Sequence, residues 1–128
     1  MPDSVIDPSE PVSRFLLKGD LRPDGKTVKY SAFLPPSNLR LSVFRVFDLS
    51  DQQIWALAAE KVEPFRGKVI ARGNLSVGQI ESKQLTVQPD EDAASRHANI
   101  IGWPEDRGQR GTIAQALAAD ARVTTRPD

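Results

Sequence analysis

The chain predicts an α+β domain, a mainly antiparallel sheet of about five to six strands with two helices. Three observations carry that expectation. The elements run strands, helix, strands, helix, which is not the strict alternation of a doubly wound sheet. Only two stretches repeat apolar residues at helical spacing, and short strand-like runs bounded by Pro and Gly fill most of the rest. At 128 residues the chain fits one domain.

Residues 1–12 are rich in proline and acids and lack apolar periodicity, so they are expected to form a mobile arm. Residues 13–123 form the expected domain and 124–128 a C-terminal tail. A first strand is expected at 14–18. Pro23, Asp24 and Gly25 then mark a turn, because Pro presets φ and Gly supplies positive φ. A return strand is expected at 27–33, ended by Pro35 and Pro36.

The strongest strand signal is LRLSVFRVF at 39–47. Leu39, Leu41, Val43 and Phe47 share one face, and Phe44 and Val46 lie on the other, the pattern of a central strand covered on both sides, or on one side plus an edge contact. A helix follows. Ser50 and Gln53 form a capping box, and Leu49 and Ile54 form a hydrophobic staple. Ile54, Leu57, Ala58 and Val62 keep helical spacing until Pro64 stops the run near Glu63. Trp55 sits at the rim of that apolar face. Further strands are expected at 68–72, 75–77 and 79–88, with Pro89, Asp90, Glu91 and Asp92 as an acidic turn. A last strand spans 97–101 and a last helix roughly 109–122, with Ile113, Leu117 and Ala121 on one face.

Composition excludes several functions. Seventeen basic and seventeen acidic residues cancel, so no global field attracts phosphate backbones and nucleic-acid binding is not expected. No cysteine is present, which removes disulfides, thiolate metal sites and cysteine nucleophiles. With one histidine and no acidic ladder of calcium-loop type, no metal and no cofactor are expected. Neither a GxGxxG nor a GxxxxGK[ST] phosphate loop occurs, nor a GxSxG elbow. The N-terminus is neither a signal nor a transit peptide, and no window reaches a membrane span, so a cytoplasmic location away from membranes is expected.

The chemistry-bearing residues crowd into SRHANIIGWPEDRG at 95–108. On a strand, His97 and Asn99 point to one face and Arg96, Ala98 and Ile100 to the other. His97 is a candidate general base, with Asn99 orienting it or a substrate. The opposing expectation is that His97 braces a strand start, since Asp92 and Asp106 lie in flanks and no nearby acid is evident to hold its tautomer. Arg45 stands among apolar neighbours, so either the strand end reaches the surface and the side chain snorkels, or it meets a carboxylate or a ligand anion. Trp103, before Pro104, is a candidate anchor for a partner, or a core residue over the last helix. Arg107, Arg110 and Arg122 make the end of the chain locally basic, and Arg107 joins Trp103 and Arg45 as a candidate binding residue.

The blocks LSVFRVFDLSDQQIW, RGNLSV and RHANIIGWPED followed by a helix resemble a group of small bacterial proteins of unknown function. The resemblance covers residues 14–122. It implies one stand-alone domain and carries over no activity and no catalytic residue. The leading expectation, which rests on the missing metal ligands, nucleotide loops and catalytic set, is a non-enzymatic module that binds another protein, as an accessory or neutralising partner. The alternatives are a small hydrolase or nuclease using His97, Arg45 and Asn99, and a nucleic-acid binder using the C-terminal arginines.

Overall fold

The computed structural model describes residues 6–90 and 96–127. Among them, six strands form one open antiparallel sheet: β1 (Pro11–Leu16), β2 (Leu41–Arg45), β3 (Ala71–Ser76), β4 (Thr86–Pro89), β5 (His97–Ile101) and β6 (Arg122–Thr125). Their spatial order is β4-β5-β2-β1-β3-β6. Two long helices, α1 (Asp51–Lys61) and α4 (Arg107–Asp120), and two short ones, α2 (Glu63–Arg66) and α3 (Val77–Glu81), complete the α+β fold.

Strand alternation splits the buried residues between two faces. Val12, Leu16, Leu41, Val43, Ala71, Leu75, Ala98 and Ile100 pack with Ala114 and Leu117 of α4, Ile80 of α3, and Phe33. Phe15, Phe44 and Val46 pack on the other face with Ile54, Trp55 and Ala58 of α1 and with Val62 and Val69. The apolar residues on both sides of β2 are thereby accounted for. Helix α1 opens with the expected reciprocal cap: Ser50 Oγ accepts from Gln53 N–H at 3.2 Å, and Gln53 Oε1 accepts from Ser50 N–H at 2.9 Å. Its tryptophan is more than a rim residue. Trp55 is buried, with the guanidinium groups of Arg72 and Arg126 5.6 and 5.8 Å from the ring centroid.

Several expectations are corrected. The return strand at 27–33 is a single bridge, Leu21 to Val28, followed by a 3₁₀ turn, Tyr30–Phe33. The run read as strands at 75–77 and 79–88 is the end of β3 at Leu75 and Ser76, then helix α3, which the capping box of Ser76 and Gln79 opens, and then β4 from Thr86. Pro64 ends α1 but also opens α2, where its missing N–H costs nothing.

The described part of the N-terminal arm is docked. Ile6 is buried, Pro8 and Glu10 carbonyls accept from Gly78 and Val77, and the Glu10 carboxylate takes both ends of the Arg45 guanidinium. Pro11 already belongs to β1. The tail likewise enters the sheet as β6, where Thr124 accepts from Asn74 and Arg126 reaches Glu63. Residues 1–5 and 91–95, including Glu91 and Asp92 of the expected acidic turn, lie outside the described residues. No described helix is long and apolar enough to cross a membrane.

Candidate functional site

Strands β1 and β2 pair over only two residues, Val12 with Arg45 and Ser13 with Phe44. Where that ladder stops, Arg14 supplies the missing donors. Its Nη1 donates to the Ser42 carbonyl at 2.9 Å and its Nε to the Ala32 carbonyl at 3.0 Å. Both partners are neutral, and a guanidinium has further N–H groups to give. Among the described residues no carboxylate lies within ion-pairing distance of Arg14. Burial, with the neighbouring Arg66 charge adding, pushes its pKa down to about 10, which still leaves it charged at neutral pH.

This guanidinium lines a cavity of about 240 Å³ between the sheet and the α1–α2 corner. Phe15, Ser42, Phe44 and His97 come from the sheet, and Lys61, Val62, Phe65 and Arg66 from the corner. Three cations therefore converge on one small space whose lining contains no acid. Arg66 is held there by donation to the Phe15 carbonyl at 3.1 Å and by Asp20 at 3.5 Å. The Phe65 ring stands at the mouth with 84% of its surface exposed, an unusual position for so large an apolar group.

His97 lies on the wall of this cavity. Its ring meets Phe44 edge-on with centroids 5.4 Å apart, and its Nε2 is 2.6 Å from Ser42 Oγ. On the other side, Nδ1 lies 3.3 Å from the Asp90 main-chain carbonyl and 3.6 Å from the Asp90 carboxylate. Both of those groups only accept, so a neutral imidazole meets them with its proton on Nδ1 and turns the Nε2 lone pair to the serine hydroxyl. The sequence offered no acid for this role. The pairing of β4 with β5 provides one, because Asp90 directly follows β4 and its N–H donates to the His97 carbonyl at 2.9 Å. Arg96, just before the strand, takes φ +67°, an uncommon left-handed conformation for a non-glycine residue at the step into His97.

The other candidates are dispersed. Asn99 shares the His97 face but donates to the Asp90 carboxylate at 3.2 Å, so it steadies the acid and not the imidazole. Arg45 lies on the opposite face of β2 from His97 and is bidentate to Glu10, at 2.6 and 2.9 Å. The two do not converge. Trp103 is buried, and its indole N–H donates to the Ile100 carbonyl at 2.9 Å, so it is a core residue and not a surface anchor. Arg107 is exposed at the start of α4, beside a wider groove of about 1020 Å³ that Glu105 and Arg110 share. Sequence reasoning missed Arg14, Ser42, Lys61, Arg66 and Asp90. Arg14 did carry a readable signal, a cation inside the apolar run of a strand. None of the family models, curated proteins or solved structures compared with this chain matches it.

Proposed function

We propose that the protein binds a small organic anion, one carboxylate or phosphate group on an apolar body, in the cavity between β1, β2 and α2. One observation carries the reading: Arg14, Lys61 and Arg66 share a lining that has no acid, and the hydrogen bonds of Arg14 go to two main-chain carbonyls, with Asp20 acting on it only at longer range. Lys61 and Arg66 have carboxylate partners outside the lining, Glu60 at 3.0 Å and Asp20 at 3.5 Å, and an anion in the cavity adds to these from the side that has no acid. The guanidinium fork of Arg14 suits the planar oxygens of a carboxylate or a phosphate. Phe15, Phe44 and Phe65 offer apolar contact to the rest of the molecule.

The volume suits a ligand smaller than a drug-sized one. A protein-docking role has less support, since its expected anchor, Trp103, is inside the core. Titration with benzoate, phenyl phosphate and neutral benzyl alcohol tests the proposal. The two anions should raise Tm and shift the side-chain N–H resonances of Arg14 and Arg66, and the alcohol should do neither. Equal responses to all three would remove the charge-based reading. A response to one anion only would tell which head group the cavity takes.

A further inference from the structure

We propose that Ser42 is a nucleophile, and that the protein hydrolyses a small carboxylic ester whose acid part bears a second, anionic group. The inference rests on the anion-binding reading above and adds a reaction to it. Ser42 Oγ, His97 Nε2, His97 Nδ1 and Asp90 form one chain of contacts, with 2.6 Å at the serine end and 3.6 Å to the carboxylate. That order, with the proton on Nδ1 and the lone pair on Nε2, is what a histidine needs to take a proton from a serine. The supports are also in place. Asn99 holds Asp90, Phe44 flanks the imidazole, and Arg96 fixes the backbone before it by donating through its side chain to the Phe47 carbonyl at 2.8 Å.

Ser42 faces the cavity that the cations line, so a bound ester meets the hydroxyl and the positive charge together. The cations divide the work by position. Arg14, which donates to the main-chain Ser42 carbonyl and also lines the cavity, is the cation assigned to the negative charge that develops on the ester oxygen. Arg66 and Lys61 come from the far wall and meet the second anionic group.

The chemistry balances with water as co-reactant. The Ser42 Oγ–C bond forms while the hydroxyl proton passes to His97 Nε2. The tetrahedral centre then collapses, the bond from carbon to the alcohol oxygen breaks, and His97 returns the proton to the leaving alcohol. Water, deprotonated by His97 in turn, attacks the acyl-serine, releases the dianionic acid and restores Ser42. Asp90 and Asn99 are positioning residues, since they act through His97.

The test compares the mono-4-nitrophenyl ester of glutaric acid with neutral 4-nitrophenyl valerate on the full chain. Turnover should favour the anionic ester at least tenfold in kcat/KM. Ser42→Ala should abolish it, and His97→Gln should lower it by about 10²–10⁴-fold. Should either variant fold poorly by circular dichroism, the wild-type chain still answers. Labelling with diisopropyl fluorophosphate and peptide mapping should place the adduct on Ser42. Ser42→Ala turnover equal to wild type, or an adduct confined to Lys61 or another surface amine, overturns the nucleophile. If benzoate binds while neither turnover nor a Ser42 adduct occurs, the nucleophile falls and the anion site stands. If turnover needs Ser42 but is equal on the two esters, the anionic substrate class falls and the nucleophile stands.

Discussion

Ser42 and His97 touch across two adjacent strands although the register pairs neither with the other. Ser42 stands opposite Asn99 and Phe44 opposite His97, so the 2.6 Å contact between Oγ and Nε2 is a diagonal one on a shared face. A diagonal pair is normally too far apart for short side chains, and the reach comes from the length of the imidazole. The same diagonal leaves the serine hydroxyl on the cavity wall, with Arg14 attached to the carbonyl of that same residue.

Arg14→Met keeps the length of the side chain and removes its charge. The Ala32 and Ser42 carbonyls then lose a donor, and the cavity loses its most buried cation. A ligand at a hundred times its Kd stabilises a protein by about 2.7 kcal/mol. In Arg14→Met the gain from benzoate should shrink to near zero, read by denaturant melts with and without the anion. A gain equal to wild type would place the anion elsewhere.

Removing residues 1–10 should destabilise the domain, contrary to the expectation of a mobile arm. The deletion uncovers Val77 and Gly78 N–H groups, exposes the site of Ile6 and strips Arg45 of both Glu10 oxygens. Glu10→Ala isolates the last of these. It should cost about 1.5–3 kcal/mol, the range for hydrogen bonds to charged groups, in urea melts. An unchanged midpoint in both variants would show that the arm does not dock.

Sequence reasoning reached the fold class and the strand His97–Ile101, and it found the first helix start, because periodicity and capping chemistry are local. The second helix start carried the same Ser-x-x-Gln signal at 76–79, masked by the apolar run Leu75 to Val77, which suits a strand equally well. The candidate site was less legible. Ser42 and Asp90 are ordinary residues until the register of β2, β5 and β4 brings them to either side of His97. Arg66 joins Lys61 and Arg14 across the break at Val62, where α1 ends and α2 begins with Pro64 in its first turn. The two caps can be weighed against each other. Ser50→Ala and Ser76→Ala should each cost about 0.5–2 kcal/mol in denaturant melts. No effect at Ser76 would return that segment to the strand first expected.

Trp103→Ala should act as a core truncation. The indole is buried and satisfied by the Ile100 carbonyl, so its removal leaves a large void among the residues packed beneath α4. Loss of about 3–5 kcal/mol is expected for such a change. Any loss of partner capture in this variant should then track unfolding, measured by thermal melts on the same sample. A fully stable Trp103→Ala chain that loses a partner would restore the surface-anchor role.

Glu63 ties the lip of the cavity to the sheet, and its ionisation gives the protein an acid-sensitive joint. Its carboxylate accepts from the Val69 N–H at 2.8 Å and from Arg126 at 2.9 Å. The hydrogen bond from Val69 is the main reason its pKa lies below the usual 4.5, and Arg126 adds to it. A carboxyl whose folded pKa is depressed contributes stability that is fully present above the unfolded value and is lost as the pH falls through the folded one. The window therefore opens near 4.5 and extends downward. Glu63→Gln keeps an acceptor for Val69 but cannot ionise. At pH 7 the variant should be less stable than wild type. The gap should narrow steadily as urea melts are carried from pH 5 to pH 2. Because α2 also carries Phe65 and Arg66, the variant should bind benzoate more weakly at pH 7, with the loss shrinking over the same interval. A stability gap that stays constant from pH 7 to pH 2 would show that the Glu63 charge contributes nothing to the joint.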